Sequence, residues 1–66
     1  MINIGDLVRI DLYTGHLSPM GRKMFSGMNG LIVEVINVND KWAMIKVTDE
    51  LYKSIPIDCL IPMFTK

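Results

Sequence analysis

The chain has one cysteine, one histidine and one tryptophan in 66 residues, and its seven basic side chains are cancelled by seven acidic ones. Each shortage removes a class of explanation. A single thiol forms no disulfide within the chain, so the core alone must hold the fold. Cys59, beside Leu60, reads as a small core filler, and one free thiol suits a reducing compartment. His16 has no carboxylate beside it in sequence, which leaves general acid–base chemistry without a partner and predicts a solvated loop histidine. Asp58 and Cys59 are adjacent, and neighbours in a tight turn point apart, so no dyad is expected there. Asp58 is expected to face water or cap the turn. No cluster of His, Cys and carboxylates offers a metal site. The expectation is a non-enzymatic protein with no catalytic residue, no metal and no cofactor.

Zero net charge removes the global field that usually drives non-specific nucleic-acid binding. Apolar runs are interrupted by charges too often for a membrane span, and residues 1–6 lack the basic and then apolar pattern of a signal peptide. A soluble, cytoplasmic protein with no membrane partner is expected. Sixty-six residues make one domain, spanning 1–66, that hides only about 60% of its unfolded surface.

What is present is strand patterning. Val8, Ile10 and Leu12 alternate with Arg9 and Asp11, so residues 7–12 read as a half-buried first strand. Gly27-Met28-Asn29-Gly30 leads into the β-branched run 31–36, the second strand. Two glycines three apart at that junction predict a tight corner, because glycine alone tolerates positive φ freely. Asn37-Val38-Asn39-Asp40 carries turn chemistry. Residues 41–48 form the third strand, with Ala43, Ile45 and Val47 on one face and Trp42, Met44 and Lys46 on the other. Asp49-Glu50 turns the chain into a fourth strand, 51–55, interrupted by Pro56. Residues 57–60 suit a single 3₁₀ turn, and 61–64 a short closing strand.

Residues 13–26 break the pattern. This stretch holds two glycines, a proline and positive charge without any acid. A connection this long in so short a domain is uncommon and often functional. A single helical turn near 20–25 is compatible with it. Leu17, Met20, Met24 and Phe25 make it more apolar than a solvated loop. They either fold back to cap the core or form a contact patch with Tyr13, rimmed by Arg22 and Lys23. Trp42 is the second candidate: opposite the core face, it either anchors a contact or packs in a minor core with Met44 and the loop.

Gly5-Asp6-Leu7-Val8-Arg9-Ile10 resembles the opening "G-D-x-V-x-V" of KOW-motif domains. Ser26-Gly27-Met28-Asn29-Gly30-Leu31-Ile32-Val33-Glu34-Val35 resembles their "K-G-x-x-G-x-V-x-x-I" segment, with Ser26 where Lys or Arg is frequent. Residues 42–47 match the following strand in type, and Ile55-Pro56-Ile57-Asp58-Cys59-Leu60 resembles the turn that closes SH3-like barrels. Five short strands with one long first loop suggest a small closed or half-open barrel, and the resemblance implies an all-β, five-stranded SH3-like barrel with a 3₁₀ turn before the last strand. SH3-like chains also include electron-transfer accessory subunits and small phage or prophage accessory proteins.

Three functions follow as expectations. The first is a binding module that contacts a protein partner through the 13–25 loop and the Trp42 face, using Tyr13, Leu17, Met20, Arg22, Lys23, Met24, Phe25 and Trp42. The second is a KOW-type nucleic-acid-binding module of transcription or translation, with Arg22, Lys23, Lys41 and Lys53 gathered near Trp42 or Tyr52. The third is a proline-rich peptide reader, since Leu12-Tyr13, Trp42 and Pro56 fall where such domains place groove residues. A homo-oligomer seam on the apolar loop stays open beside these.

Overall fold

Residues 2–64 are described by the structure, a computed structural model of the chain, with the side chain of Phe64 left aside. The elements are β1 (Leu7–Ile10), α1 (Pro19–Met24), β2 (Ile32–Val38), β3 (Trp42–Thr48), β4 (Leu51–Pro56), a 3₁₀ turn (Ile57–Cys59) and β5 (Leu60–Phe64). The strands form one antiparallel sheet in the order β4-β3-β2-β1-β5. The all-β expectation holds, with one short helix in the long connection.

The period-two reading places the core. Val8, Ile10, Val33, Val35, Ala43, Ile45 and Ile55 are buried from four strands, with Leu12, Cys59 and Leu60 beside them. Leu7, Arg9 and Met44, between these positions, are exposed. Each fully buried Val or Ile contributes about 1.5–3 kcal/mol relative to exposure. Cys59 is therefore the core filler the sequence suggests.

The glycine corner is also as read. Gly27 and Gly30 have φ of +88° and +86°. At this corner the Gly30 amide donates to the Ile10 carbonyl at 2.7 Å, and the Ile10 amide donates to the Leu31 carbonyl at 2.9 Å. The loop is thereby delivered into register with β1.

Two boundaries moved by two residues, and the others by one at most. Strand β1 stops at Ile10 because the next amides bond elsewhere: Asp11 donates to the Cys59 carbonyl at 2.8 Å and Leu12 to Asn29 Oδ1 at 2.9 Å. Strand β2 runs on to Val38 because the turn is confined to residues 39–41 and is built on Asn39. Its side-chain oxygen accepts the amides of Lys41 and Trp42 at 3.0 and 2.7 Å, which leaves Val38 free to pair with Ala43.

The sheet is coiled but open. Laid flat, five strands would hold β4 and β5 about 19 Å apart. The turn joining them is three residues long, and such a turn rises only about 6 Å. The sheet must therefore curl until its two edges meet at that corner. Register shifts at Ile36, Val47 and Met63 increase the twist. The expected barrel is not closed by hydrogen bonds, since β4 and β5 are the ends of the strand order. Pro62 in β5 has no amide hydrogen to give to a closing ladder.

Candidate binding surface

The long connection is more ordered than its composition suggested. Ser18 caps α1, accepting the Gly21 amide on its hydroxyl at 3.0 Å, and Pro19 follows at the first helical position. Ser-Pro ahead of a basic last turn is a helix start and stop signal, and it makes the turn near 20–25 a true helix. Arg22 reaches back, donating from Nη1 to the Leu17 carbonyl at 2.9 Å, while its guanidinium lies 5.7 Å from the centre of the Tyr13 ring. A cation over an aromatic face at that range is favourable.

The eight expected contact residues divide. Leu17 and Phe25 are half-buried against the core, in the capping role expected as one alternative for the loop. Met20 and Met24, one helical turn apart, are 75% and 74% exposed, and Lys23 between them faces solvent. Tyr13 is exposed with Arg22 stacked on it. Trp42 is 44% exposed. It shares one hollow with Met44, lined further by Asn37, Val38, Asn39 and Ser54. The minor core of Trp42, Met44 and the long loop is therefore not formed.

On its other side Trp42 forms a groove with Asp40, Lys41, Pro56, Ile57 and Asp58. Sheet register explains the placement. Trp42 opens β3 directly opposite Pro56, which ends β4. The Ile57 amide donates to the Lys41 carbonyl at 2.9 Å and fixes the 3₁₀ turn as the facing wall.

His16 and Asp58 correct two expectations. The His16 amide donates to Asp58 Oδ2 at 3.1 Å, and its ring Nδ1 lies 2.9 Å from the same oxygen. The partners are 42 residues apart in sequence, so local spacing carried no sign of them. His16 stays exposed and Asp58 faces water as expected, but the two are paired, and Asp58 receives the loop instead of capping its own turn. These two bonds hold the Asp58 carboxyl below the usual aspartate range.

The expectation that Asp58 and Cys59 point apart also changes, because Cys59 Sγ lies 3.8 Å from Asp58 Oδ1. The contact does not activate the thiol. Burial, and then the negative charge of Asp58, push its pKa up, opposite to the shift a nucleophilic cysteine needs. Histidine contacts the carboxylate on Oδ2, the oxygen remote from this contact. Among the described residues no group of three or more His, Cys, Asp or Glu could hold a metal ion. No described helix is long and apolar enough to cross a membrane.

The chain matches no family model, no curated protein and no solved structure.

Proposed function

We propose that this chain is a non-enzymatic binding module that contacts a protein partner through the 13–25 loop and the Trp42 face. One observation carries the reading. An exposed tryptophan lines a groove whose far wall, at Asp58, is bonded to the long loop through His16. Amphipathic aromatic side chains beside exposed methionines are the usual anchors of protein contacts. The exposed contributors are Trp42, Tyr13, Met20 and Met24, while Leu17 and Phe25 support the loop from beneath. The strand order, the long first connection and the 3₁₀ turn ahead of β5 support an SH3-like, KOW-like kinship. A cytoplasmic site of action and a phage accessory role are further parts of this reading, the first resting on the lone thiol and the charge pattern of the sequence, the second on the resemblance.

The nucleic-acid reading draws less from the geometry, since Arg22 is engaged by Tyr13 and the Leu17 carbonyl. The proline-rich peptide reading draws on the groove of Trp42, Pro56 and Ile57.

The sole tryptophan is its own reporter. Proteins captured from the source cells by the wild-type chain are identified, and the dominant one is titrated while Trp42 emission is followed. Trp42→Ala and Met24→Ala are expected to weaken that capture about tenfold or more, the scale of an interface hot spot, with unchanged thermal unfolding. Equal capture by both variants overturns the proposal. Parallel titrations use proline-rich peptides and single-stranded oligonucleotides. A salt-sensitive emission change with the oligonucleotides alone selects the nucleic-acid reading instead.

A further inference from the structure

The contact between Gly15-His16 and the 3₁₀ turn has a geometry of its own. A Cβ built on Gly15 would lie 2.5 Å from Asp58 Oδ1 and 2.6 Å from Cys59 Sγ. Both distances are shorter than real contacts allow, so the loop approaches this turn backbone-first, and only glycine fits. The Gly15 amide also bonds towards the Cys59 sulfur. Cys59 has no exposed surface, yet it belongs to a turn whose other members, Ile57 and Asp58, are half-buried and exposed. A thin layer of loop backbone is therefore what lies over the thiol on this side. On either flank the loop is secured by stronger means: Leu12 is buried, with its amide on Asn29, and Leu17 packs on the core. Between those anchors, 13–16 is held to the turn by His16 on Asp58 and by the Gly15 amide on Cys59, while Tyr13 and Thr14 bond back to Asp11.

We propose that Gly15-His16 is a latched lid over Cys59, closed by the His16–Asp58 contact and able to open while the sheet stays folded. The lid hinges between Leu12 and Leu17 and leaves α1 in place. Its opening uncovers the thiol and frees the Asp58 carboxylate at the end of the Trp42 groove. The inference concerns the free protein and stands whether or not the protein-partner reading holds.

The test is the rate at which an aromatic disulfide reagent labels Cys59 at neutral pH. The thiolate attacks the reagent's disulfide and releases one aromatic thiol, which is read by absorbance. His16→Ala keeps the charge of Asp58 and so leaves the thiol's electrostatic surroundings in place. It is expected to label about two- to fivefold faster, the range that one exposed polar contact commands. Gly15→Ala, whose methyl group has no room under the closed lid, is expected to label at least about tenfold faster. Global unfolding is measured on the same variants by denaturant titration. Rates that rise with no matching rise in the unfolded fraction support the lid. Two results overturn it: labelling in both variants no faster than in the wild type, or acceleration fully accounted for by global unfolding.

Discussion

The carboxylate of Asp58 accepts a ring nitrogen and a backbone nitrogen from His16, and these bonds hold its pKa down. A group whose pKa is lower in the folded state stabilises that state at pH values above its unfolded pKa. The contribution is lost as pH falls through the folded value. The window therefore lies at and below the ordinary aspartate range. In His16→Ala the Asp58 titration is expected to move up towards that range, as followed by carboxyl carbon resonances against pH. An unmoved midpoint would show that His16 is not what holds it down. The charged neighbours that also bear on this turn are Asp11, near Cys59, and Asp40 and Lys41 across the groove. None of this was legible in the sequence, because a hydrogen bond spanning 42 residues leaves no local pattern. The opposite holds for Trp42, whose exposure followed directly from alternation with Ala43 and Ile45.

At the scale of elements, the two sheet edges are defended by different devices. Strand β5 carries Pro62, which has no amide to offer a foreign strand. On β4 the register sets Lys53 opposite Ile45, on the core side of the sheet, yet Lys53 is exposed at the rim. An inward-facing charge on an edge strand costs a great deal to bury against another strand, and this discourages pairing. Lys53→Val is therefore expected to self-associate more than the wild type, with a concentration-dependent rise in sedimentation coefficient. An unchanged coefficient would remove that role from Lys53. The strands were the legible part of this chain. Their apolar alternation is strong, and Gly30, Asn39 and Pro56 punctuate it by known turn chemistry. The helix was half legible: Ser18-Pro19 carried the start signal, but six residues are too few for a visible 3.6 period. Bulges at Ile36, Val47 and Met63 were not legible, since they depend on how strands meet rather than on either strand alone.

For the whole molecule, a chain of 66 residues has a stability of about 3–10 kcal/mol. Ile45 is fully buried at the middle of β3, and truncating such a side chain to alanine costs about 2–5 kcal/mol. Ile45→Ala is thus expected to lose roughly a fifth or more of the total, seen as a large drop in the urea midpoint with an unchanged slope. A cost below about 1 kcal/mol would mean the core collapses readily around the gap. The strand order has a different consequence, one of timing. Strand β1 lies between β2 and β5, so one flank of the strand translated early waits for one translated some fifty residues later. The β2–β3–β4 meander can assemble from neighbours in sequence, whereas the β1–β5 pair closes the longest loop in the chain. A nascent chain halted after β4 would carry β1 with one row of amides and carbonyls unpaired. The fold is therefore completed only after β5 leaves the ribosome, and until then β1 is the strand most open to wrong partners.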